Sequence, residues 1–233
     1  MIILALDTTE NTAAAAILDG ENLLASETLG LTKTHSETML PILSELLTRC
    51  GKTFEDVDLY ACAAGPGSFT GVRIGAAVIK GLAFGRNKPC MGVSAIEALA
   101  ENLRGVNGIV CPGMDARRGQ LYNALFESKP DGTLTRLTED RTVSASDLLK
   151  ELKEKYPDKP VYLCGGGYAI MKKTFGNEVT VAYTPASLIP ESGVSVGLTV
   201  LRHYTEDPAS ASTDRTLQPI YLRPSQAERN RNQ

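Results

Sequence analysis

A chain of 233 residues, 42% of them hydrophobic, is long enough to bury one large core or two smaller ones, which excludes a disordered polypeptide. Its 24 basic and 27 acidic side chains leave a net charge of −3. A free-standing nucleic-acid binder needs a basic face to neutralise phosphates, so any link to RNA is expected to be indirect. The cysteines, at 50, 62, 90, 111 and 164, are odd in number, lack Cys-x-x-Cys spacing and read as reduced core thiols. The opening Met1 to Asp7 turns acidic too soon for a signal peptide, and no apolar run reaches membrane-spanning length. A cytoplasmic chain without a membrane association is the expectation.

Ile2 to Leu6 is a continuous apolar run that ends in Asp7-Thr8-Thr9. Thr12 to Leu18 and Asn22 to Thr28 are two further strand candidates joined at Asp19-Gly20, a good hairpin signal. Thr34-His35-Ser36-Glu37 has capping-box spacing, and Met39, Leu40, Ile42, Leu43, Leu46 and Leu47 follow a helical stripe as far as Gly51. Pro41 either sits in the first turn of a helix begun at Thr38 or kinks one begun earlier. His35 reads as a polar residue at a helix start rather than as a metal ligand, since the other histidine, His203, is far along the chain.

Ala61 to Gly75 organises the rest: a buried strand runs into Gly65-Pro66-Gly67, and a helix begins near Ser68 or Thr70. Such a turn aims backbone N–H groups and the positive end of a helix dipole at one spot. It suits an anion, or the glycines merely allow a tight turn. No Walker lysine follows them. Gly71 and Gly75 share a helix face with Val78 and Leu82, and each interior glycine costs roughly 1 kcal/mol against alanine. Another backbone must therefore come close, either the chain's own sheet or, the reading preferred here, a partner that pairs with this helix and the one before it.

Lys88 to Val93 is a short strand, and Ser94 caps a helix through Ala100. The first half thus reads β-β-β-α-β-α-β-α, and a second, similar start follows. Gly108 to Met114 is strand-like and ends in Asp115-Ala-Arg-Arg118, Gln120 to Phe126 is another strand, and Leu134 to Arg141 closes a second three-stranded unit. This suggests an internal duplication. Ser146 to Tyr156 is an amphipathic helix, Val161 to Cys164 a buried strand running into Gly165-Gly-Gly167, and Tyr168 to Phe175 a helix. Val179 to Tyr183 is a further strand, Ser192 to Tyr204 a long apolar helix, and Ser225 to Gln233 a loose polar tail.

The strand-Asp-Thr-hairpin opening resembles that of the two-lobed actin, hexokinase and Hsp70-like (ASKHA) ATPase superfold, whose first hairpin holds phosphates. Those ATPases carry glycine in this turn, whereas Asp7-Thr8-Thr9-Glu10-Asn11 has none and adds a carboxylate. The resemblance implies an α/β fold of duplicated βββαβαβα-type units with a reduced second lobe. Residues 1–104 would form the first lobe and 105–224 the second, with 225–233 as tail and the helix near 192–204 a candidate to pack back on the first lobe.

A closer likeness rests on Leu4-Ala-Leu-Asp-Thr-Thr9, His35-Ser36 with Leu40-Pro41, Gly65-Pro-Gly-Ser-Phe-Thr-Gly-Val-Arg-Ile-Gly75, Lys80-Gly-Leu-Ala83, Gly92-Val-Ser94 with Glu97-Ala-Leu-Ala100, and Tyr221-Leu-Arg223. Through these the chain resembles the TsaB (YeaZ) family of tRNA threonylcarbamoyladenosine biosynthesis over nearly its whole length. The family is a shortened relative of the metal-dependent subunit TsaD, which carries a His-x-x-x-His pair where this chain has Ala95 and Leu99. Neither side chain can coordinate a metal.

The resemblance implies a non-catalytic scaffold that binds TsaD, with the ATPase TsaE joining, for threonylcarbamoyl transfer to adenosine 37 of tRNAs reading ANN codons. The pairing surface would be the helices near 36–50 and 69–85. Met39, Leu43, Leu46, Gly71, Gly75, Val78 and Leu82 are the expected contact residues, and Val78→Arg or Gly75→Arg would break the pairing. The same surface would close a homodimer in isolation. No cofactor of the chain's own is expected. ATP or ADP at the TsaD boundary would fall to Asp7, Thr8, Thr9, Gly65, Gly67, Arg73 and Asp115. Two other readings compete: a peptidase-like enzyme or ATPase of the same superfold, for which Asp7 and Asp115 are the candidates, and a homodimeric regulator with another partner.

Overall fold

The computed structural model of the chain describes residues 1–30 and 34–223. The expected tail, 225–233, lies outside the described residues. Its first sheet has the order β3-β2-β1-β4-β5. Strands β1 (Ile2–Asp7), β2 (Thr12–Asp19) and β3 (Asn22–Gly30) are antiparallel, while β4 (Leu59–Gly65) and β5 (Cys90–Ser94) continue in parallel beyond β1. Every residue of β1 is buried because helices cover both faces of the sheet. Its period of two divides them: Leu4 and Leu6 join a core with Leu43, Leu46 and Ile79, whereas Ile3 and Ala5 join one with Ile96, Val196 and Val200.

The first of these cores belongs to α1 (His35–Arg49) and α2 (Phe69–Ala83), the second to α3 (Ala95–Glu101) and α6 (Gly193–Glu206). Pro41 lies inside α1, so the helix begins before it and the Glu37 carbonyl loses its helical donor. Thr34 makes no side-chain cap, contrary to the capping-box spacing: only its carbonyl accepts the Glu37 amide, at 3.1 Å. Ser68 and Ser94, by contrast, cap α2 and α3 through their hydroxyls. Helix α6 lies on the first sheet, where Gly197 leaves room for Leu18 and Ala5.

The second unit repeats the order. Strand β6 (Gly108–Asp115) is flanked on one side by β7 (Gln120–Asn123) and β8 (Phe126–Ser128), on the other by β11 (Val161–Cys164). The run 120–126, expected as one strand, is split. Pro112 in β6 has no N–H for the ladder, and the Asn123 amide instead takes the Pro112 carbonyl at 2.8 Å and the Ala124 carbonyl at 3.1 Å. Both halves keep one register along β6, with Gly113 opposite Asn123 and Val110 opposite Phe126. Strands β9 (Leu134–Arg136) and β10 (Arg141–Ser144) pair with β8 and β7 in turn.

Helices α4 (Ala145–Lys155) and α5 (Tyr168–Phe175) pack over this sheet, with Leu148, Leu152, Met171 and Phe175 in its core. The strand expected over 179–183 is no more than one parallel bridge, Val161 with Val181. Counted outward from β6, that bridge stands where β5 stands in the first unit, so the second copy is the smaller. The chain therefore has the two-lobed α/β architecture of the ASKHA superfold.

Candidate functional site

Strand β1 ends on Asp7, which is 1% exposed. Its Oδ1 accepts both the Thr9 amide, at 2.8 Å, and the Thr9 hydroxyl, at 2.6 Å. Burial pushes the Asp7 carboxyl up to about 7, the charge of Glu191 adds to this, and the Thr9 bonds oppose it. The turn is wedged under α2. Thr8 Oγ1 donates to the Gly71 carbonyl at 2.8 Å, and a Cβ at Gly71 would collide with the Thr8 carbonyl oxygen. At Gly75 a Cβ would stand 2.6 Å from Thr8 Oγ1, and at Gly67 it would stand 2.5 Å from the Thr9 carbonyl oxygen.

The close backbone that the glycines of α2 require is thus the chain's own β1–β2 turn. The Ser68 amide donates to Thr9 O at 2.7 Å, and Ser68 Oγ accepts the Gly71 amide at 3.3 Å. On its other side Gly65 abuts the Ile220 carbonyl, while the Ile220 amide donates to Ala64 O at 2.7 Å. The turn thus packs against Ile220 at Gly65 and against Thr9 at Gly67, while Pro66, Gly67 and Ser68 also line the neighbouring cleft.

Between the two sheets lies a cleft of about 570 Å³, lined among others by Thr9, Glu10, Ser68, Asp115, Gly166 and Glu191. Asp115 Oδ1 accepts the Arg117 amide at 2.7 Å, and its Oδ2 lies 3.3 Å from Arg117 Nη1. Arg73, grouped with the cleft residues by sequence, stacks on Phe69 with its guanidinium carbon 3.7 Å from the ring centroid and donates to the Tyr221 hydroxyl at 2.8 Å. Glu10 crosses the cleft: its Oε2 accepts the Gly166 amide at 2.8 Å. Glu191, 4% exposed, accepts the Thr12 hydroxyl. Sequence reading noted Glu10 as an acidic intruder in the turn but not Glu191, whose neighbours only the tertiary fold supplies.

The seven residues expected to meet a partner divide sharply. Met39, Leu43 and Leu46 are at most 1% exposed and belong to the core under α1. They are corrected from contact residues to core, as are Gly71 and Gly75, which face Thr8. Val78 and Leu82 are half-buried at the edge of that core. The open face of the two helices instead carries Leu40, 48% exposed, with Ala77, Gly81 and, just past the end of α2, Phe84, 70% exposed.

Residues 25–226 match the family described as TsaD: tRNA N6-adenosine threonylcarbamoyltransferase. The tRNA threonylcarbamoyladenosine biosynthesis protein TsaB of Bacillus subtilis is 39% identical over 173 residues, 74% of each chain. The chain belongs to the TsaB family. The Escherichia coli TsaB is 35% identical over 134 residues, 57% of this chain and 58% of that one. The solved structure of YeaZ from Pseudomonas aeruginosa has the same fold, with a TM-score of 0.75 at 23% identity, covering 95% of this chain and 99% of that chain. A protein named tRNA N6-adenosine threonylcarbamoyltransferase, from Methylorubrum extorquens, is 33% identical over 132 residues, 48% of this chain and 38% of its own.

In this TsaB chain Ala95 and Leu99 are buried in the core beneath α3 and offer no donor atom. The polar groups of the same helix serve the fold. Ser94 Oγ donates to Asp140 at 2.5 Å, and Glu97 meets His203 at 2.8 Å and Arg136 at 3.0 Å. Burial alone would raise the Glu97 carboxyl, but His203 and Arg136 bring it down to about 2. The same contact raises His203. Among the described residues no helix is long and apolar enough to cross a membrane, and no group of three or more His, Cys, Asp or Glu is arranged to hold a metal ion.

Proposed function

We propose that this chain is a non-catalytic scaffold and activator. It binds the threonylcarbamoyltransferase TsaD, with TsaE joining the pair, so that TsaD transfers the threonylcarbamoyl group to adenosine 37 of tRNAs reading ANN codons. The tRNA is met only through the complex, and any ATP or ADP sits at the boundary with TsaD rather than in a site of this chain's own. In isolation the same face closes a homodimer in the cytoplasm.

The observation that carries the reading is the exposed apolar edge of the paired helices α1 and α2. Leu40 of α1 and Phe84, just past the end of α2, stand open to solvent, and Val78 and Leu82 of α2 are half-covered. A standard interface buries about 800 Å² on each partner, an area that two adjacent four-turn helices largely provide. The chemistry of Ala95 and Leu99 supports the non-catalytic part, since neither side chain can hold a metal or move a proton. Asp7, the carboxylate an ATPase would use, is buried and committed to Thr9.

Ala77→Arg and Gly81→Arg test the reading without touching the core. Ala77 is exposed, and a Cβ at Gly81 meets nothing within 4 Å. Both variants are expected to melt within about 2 °C of the parent, a surface-level effect. Co-elution with TsaD from the same source should be lost, and threonylcarbamoyladenosine in tRNA should fall at least about tenfold in cells that depend on the variant, as expected when one charge in an interface costs 1.4 kcal/mol or more. Normal modification by a variant shown not to bind TsaD would sink the scaffold role. Gly75→Arg is not a usable probe, because it would drive the side chain into Thr8.

A further inference from the structure

Helix α3 holds α6 near both of its ends, and the two ends differ in chemistry. At the first, Asn102, just past α3, donates through Nδ2 to the Leu188 carbonyl at 3.1 Å and the Pro190 carbonyl at 2.9 Å, and its Oδ1 accepts the Ser195 hydroxyl. Neither an amide nor a hydroxyl titrates near neutral pH. At the other end Glu97 Oε1 accepts from His203 Nε2 at 2.8 Å, and Glu97 Oε2 accepts from Arg136 at 3.0 Å. Arg136, at the end of β9, also bonds Asp140 at 2.7 Å, and Asp140 accepts the hydroxyl of Ser94, the cap of α3, at 2.5 Å. The Glu97 side chain, 17% exposed, thus joins α3 of the first unit, β9 of the second, and α6, which returns to lie on the first sheet.

The charges that act on His203 are Glu97 across the contact and, on its own helix, Arg202 and Glu206. Arg202 is committed to Glu101, one turn further along α3, at 2.9 Å, and Arg104 meets the same carboxylate at 2.6 Å. Of the other elements packed on α6, β1 and β2 carry charge only at their ends, Asp7 and Asp19, β3 carries Glu27, and β4 and β5 carry none. The turn after α6 carries Asp207, whose carboxylate accepts the Ala209 amide at 3.1 Å. Four basic side chains therefore gather on the two carboxylates of α3, and of these His203 alone can lose its proton near neutral pH.

We propose that His203 makes this contact a pH-sensitive joint: the protonated ring clamps the last turns of α6 to α3 and, through Glu97 and Arg136, to the second unit. Loss of the ring proton loosens that end of α6, while the end held by Asn102 stays fixed. The bond to Glu97 raises His203 above its ordinary 6.5, against its partial burial. Burial would raise Glu97, but His203 and Arg136 outweigh it and bring the carboxyl from its ordinary 4.5 down to about 2. A group raised on folding contributes fully below its unfolded value and loses that contribution as pH rises through its folded one; a lowered carboxyl does the reverse. The joint is therefore whole between about pH 4.5 and 6.5 and weakens as pH rises through the raised value of His203. The neutral ring still donates, but a hydrogen bond without the charge on its donor is roughly half as strong.

The test uses the full chain and the variants His203→Gln and Glu97→Gln. In an NMR titration the His203 ring is expected to titrate above 6.5 in the parent and closer to 6.5 in Glu97→Gln. Hydrogen-exchange protection, corrected for the chemical exchange rate, is read from about pH 6 to 9 for residues 203–207, where the Asp207 amide donates to the His203 carbonyl at 2.9 Å, and for 195–199 as the internal control. At 203–207 the parent should lose about tenfold in protection for each unit by which His203 titrates above 6.5. In His203→Gln the same residues should stay level, because the amide donates to Glu97 with no proton to lose. Residues 195–199 should respond alike in the two proteins. Asp7 titrates in this range as well, but equally in both, so it drops out of their ratio. A His203 that titrates at or below 6.5, a titration unmoved by Glu97→Gln, or parallel profiles at 203–207 for the parent and His203→Gln would each overturn the joint. The comparison with His203→Gln decides the matter even if Glu97→Gln fails to fold, and its outcome is independent of whether TsaD binds.

Discussion

The turns that follow β1 and β6 hold the same place in the two copies of one strand order, and their local chemistry is the same. In each, the aspartate that ends the strand accepts the amide two residues on, Thr9 to Asp7 at 2.8 Å and Arg117 to Asp115 at 2.7 Å. Their surroundings are opposite. Asp7, Thr8 and Thr9 are no more than 1% exposed beneath α2, whereas the Arg117 side chain is 79% exposed, and Arg117 and Arg118 sit at φ of 64° and 57°. A duplicated backbone has been kept with different packing, and the packing decides what each turn does. The first is a joint between sheet and helix, the second a charged rim on the cleft.

The sharpest way to break this comparison is to force the joint apart. Gly71→Ala places a methyl group into the Thr8 carbonyl and disturbs the oxygen that Thr8 Oγ1 bonds. Backbone cannot yield there as a side chain would, so the expected loss is about 3 kcal/mol of unfolding free energy, at the upper end of overpacking effects. Gly119→Ala, at the second turn, meets no atom within 4 Å and costs only its left-handed φ of 72°, about 1 kcal/mol. Denaturant melts of the two variants check this. Equal losses would mean that the first turn is no more a joint than the second.

Much of this is legible in the sequence. The hairpin at Asp19-Gly20, the strand–glycine–helix unit at Gly65–Gly71 and the doubled strand-aspartate start are local patterns, and the structure keeps them. The identity of a neighbour is not a local pattern. A stripe of glycines at Gly71 and Gly75 says that a backbone approaches, but not that it is Thr8, far back in the chain, rather than another protein. The apolar stripe Met39, Leu43, Leu46 likewise marks a covered face without saying what covers it, and Leu40, read as part of that stripe, is left in the open, as is Phe84. The break between β7 and β8 was written into β6, at Pro112, and becomes visible only once the pairing is known. Glu191 carries no local signal, since its partner, the Thr12 hydroxyl, comes from the far end of the chain.

A milder test sharpens the contrast in burial between the two aspartates. Asp7 is raised to about 7 in the folded chain, above its unfolded value near 3.8, so its contribution is whole below pH 4 and is lost as pH rises through 7. Across that window the slope is about 1 kcal/mol per pH unit. Asp7→Asn keeps an oxygen for the Thr9 amide and hydroxyl but has no proton to lose, so its stability should be flatter between pH 4 and 7 and its melting point higher at pH 8. Unfolding curves at half-unit pH steps check this, and an Asp7→Asn profile parallel to the parent's would place the titration elsewhere.

The smallest effect concerns the backbone of the second turn. Arg117 holds a left-handed conformation that costs a residue with a Cβ roughly 1 kcal/mol and glycine almost nothing. In return its guanidinium stands 3.3 Å from Asp115, an exposed pair whose net contribution is under about 1 kcal/mol. Arg117→Gly removes both, and it also frees the unfolded chain, which offsets part of the relief. The expected outcome is a stability within about 0.5 kcal/mol of the parent, in contrast to any substitution at Thr8 or Thr9. A loss several times larger would show that Arg117 is bound into the fold as tightly as the buried turn, and the distinction between joint and rim would fail.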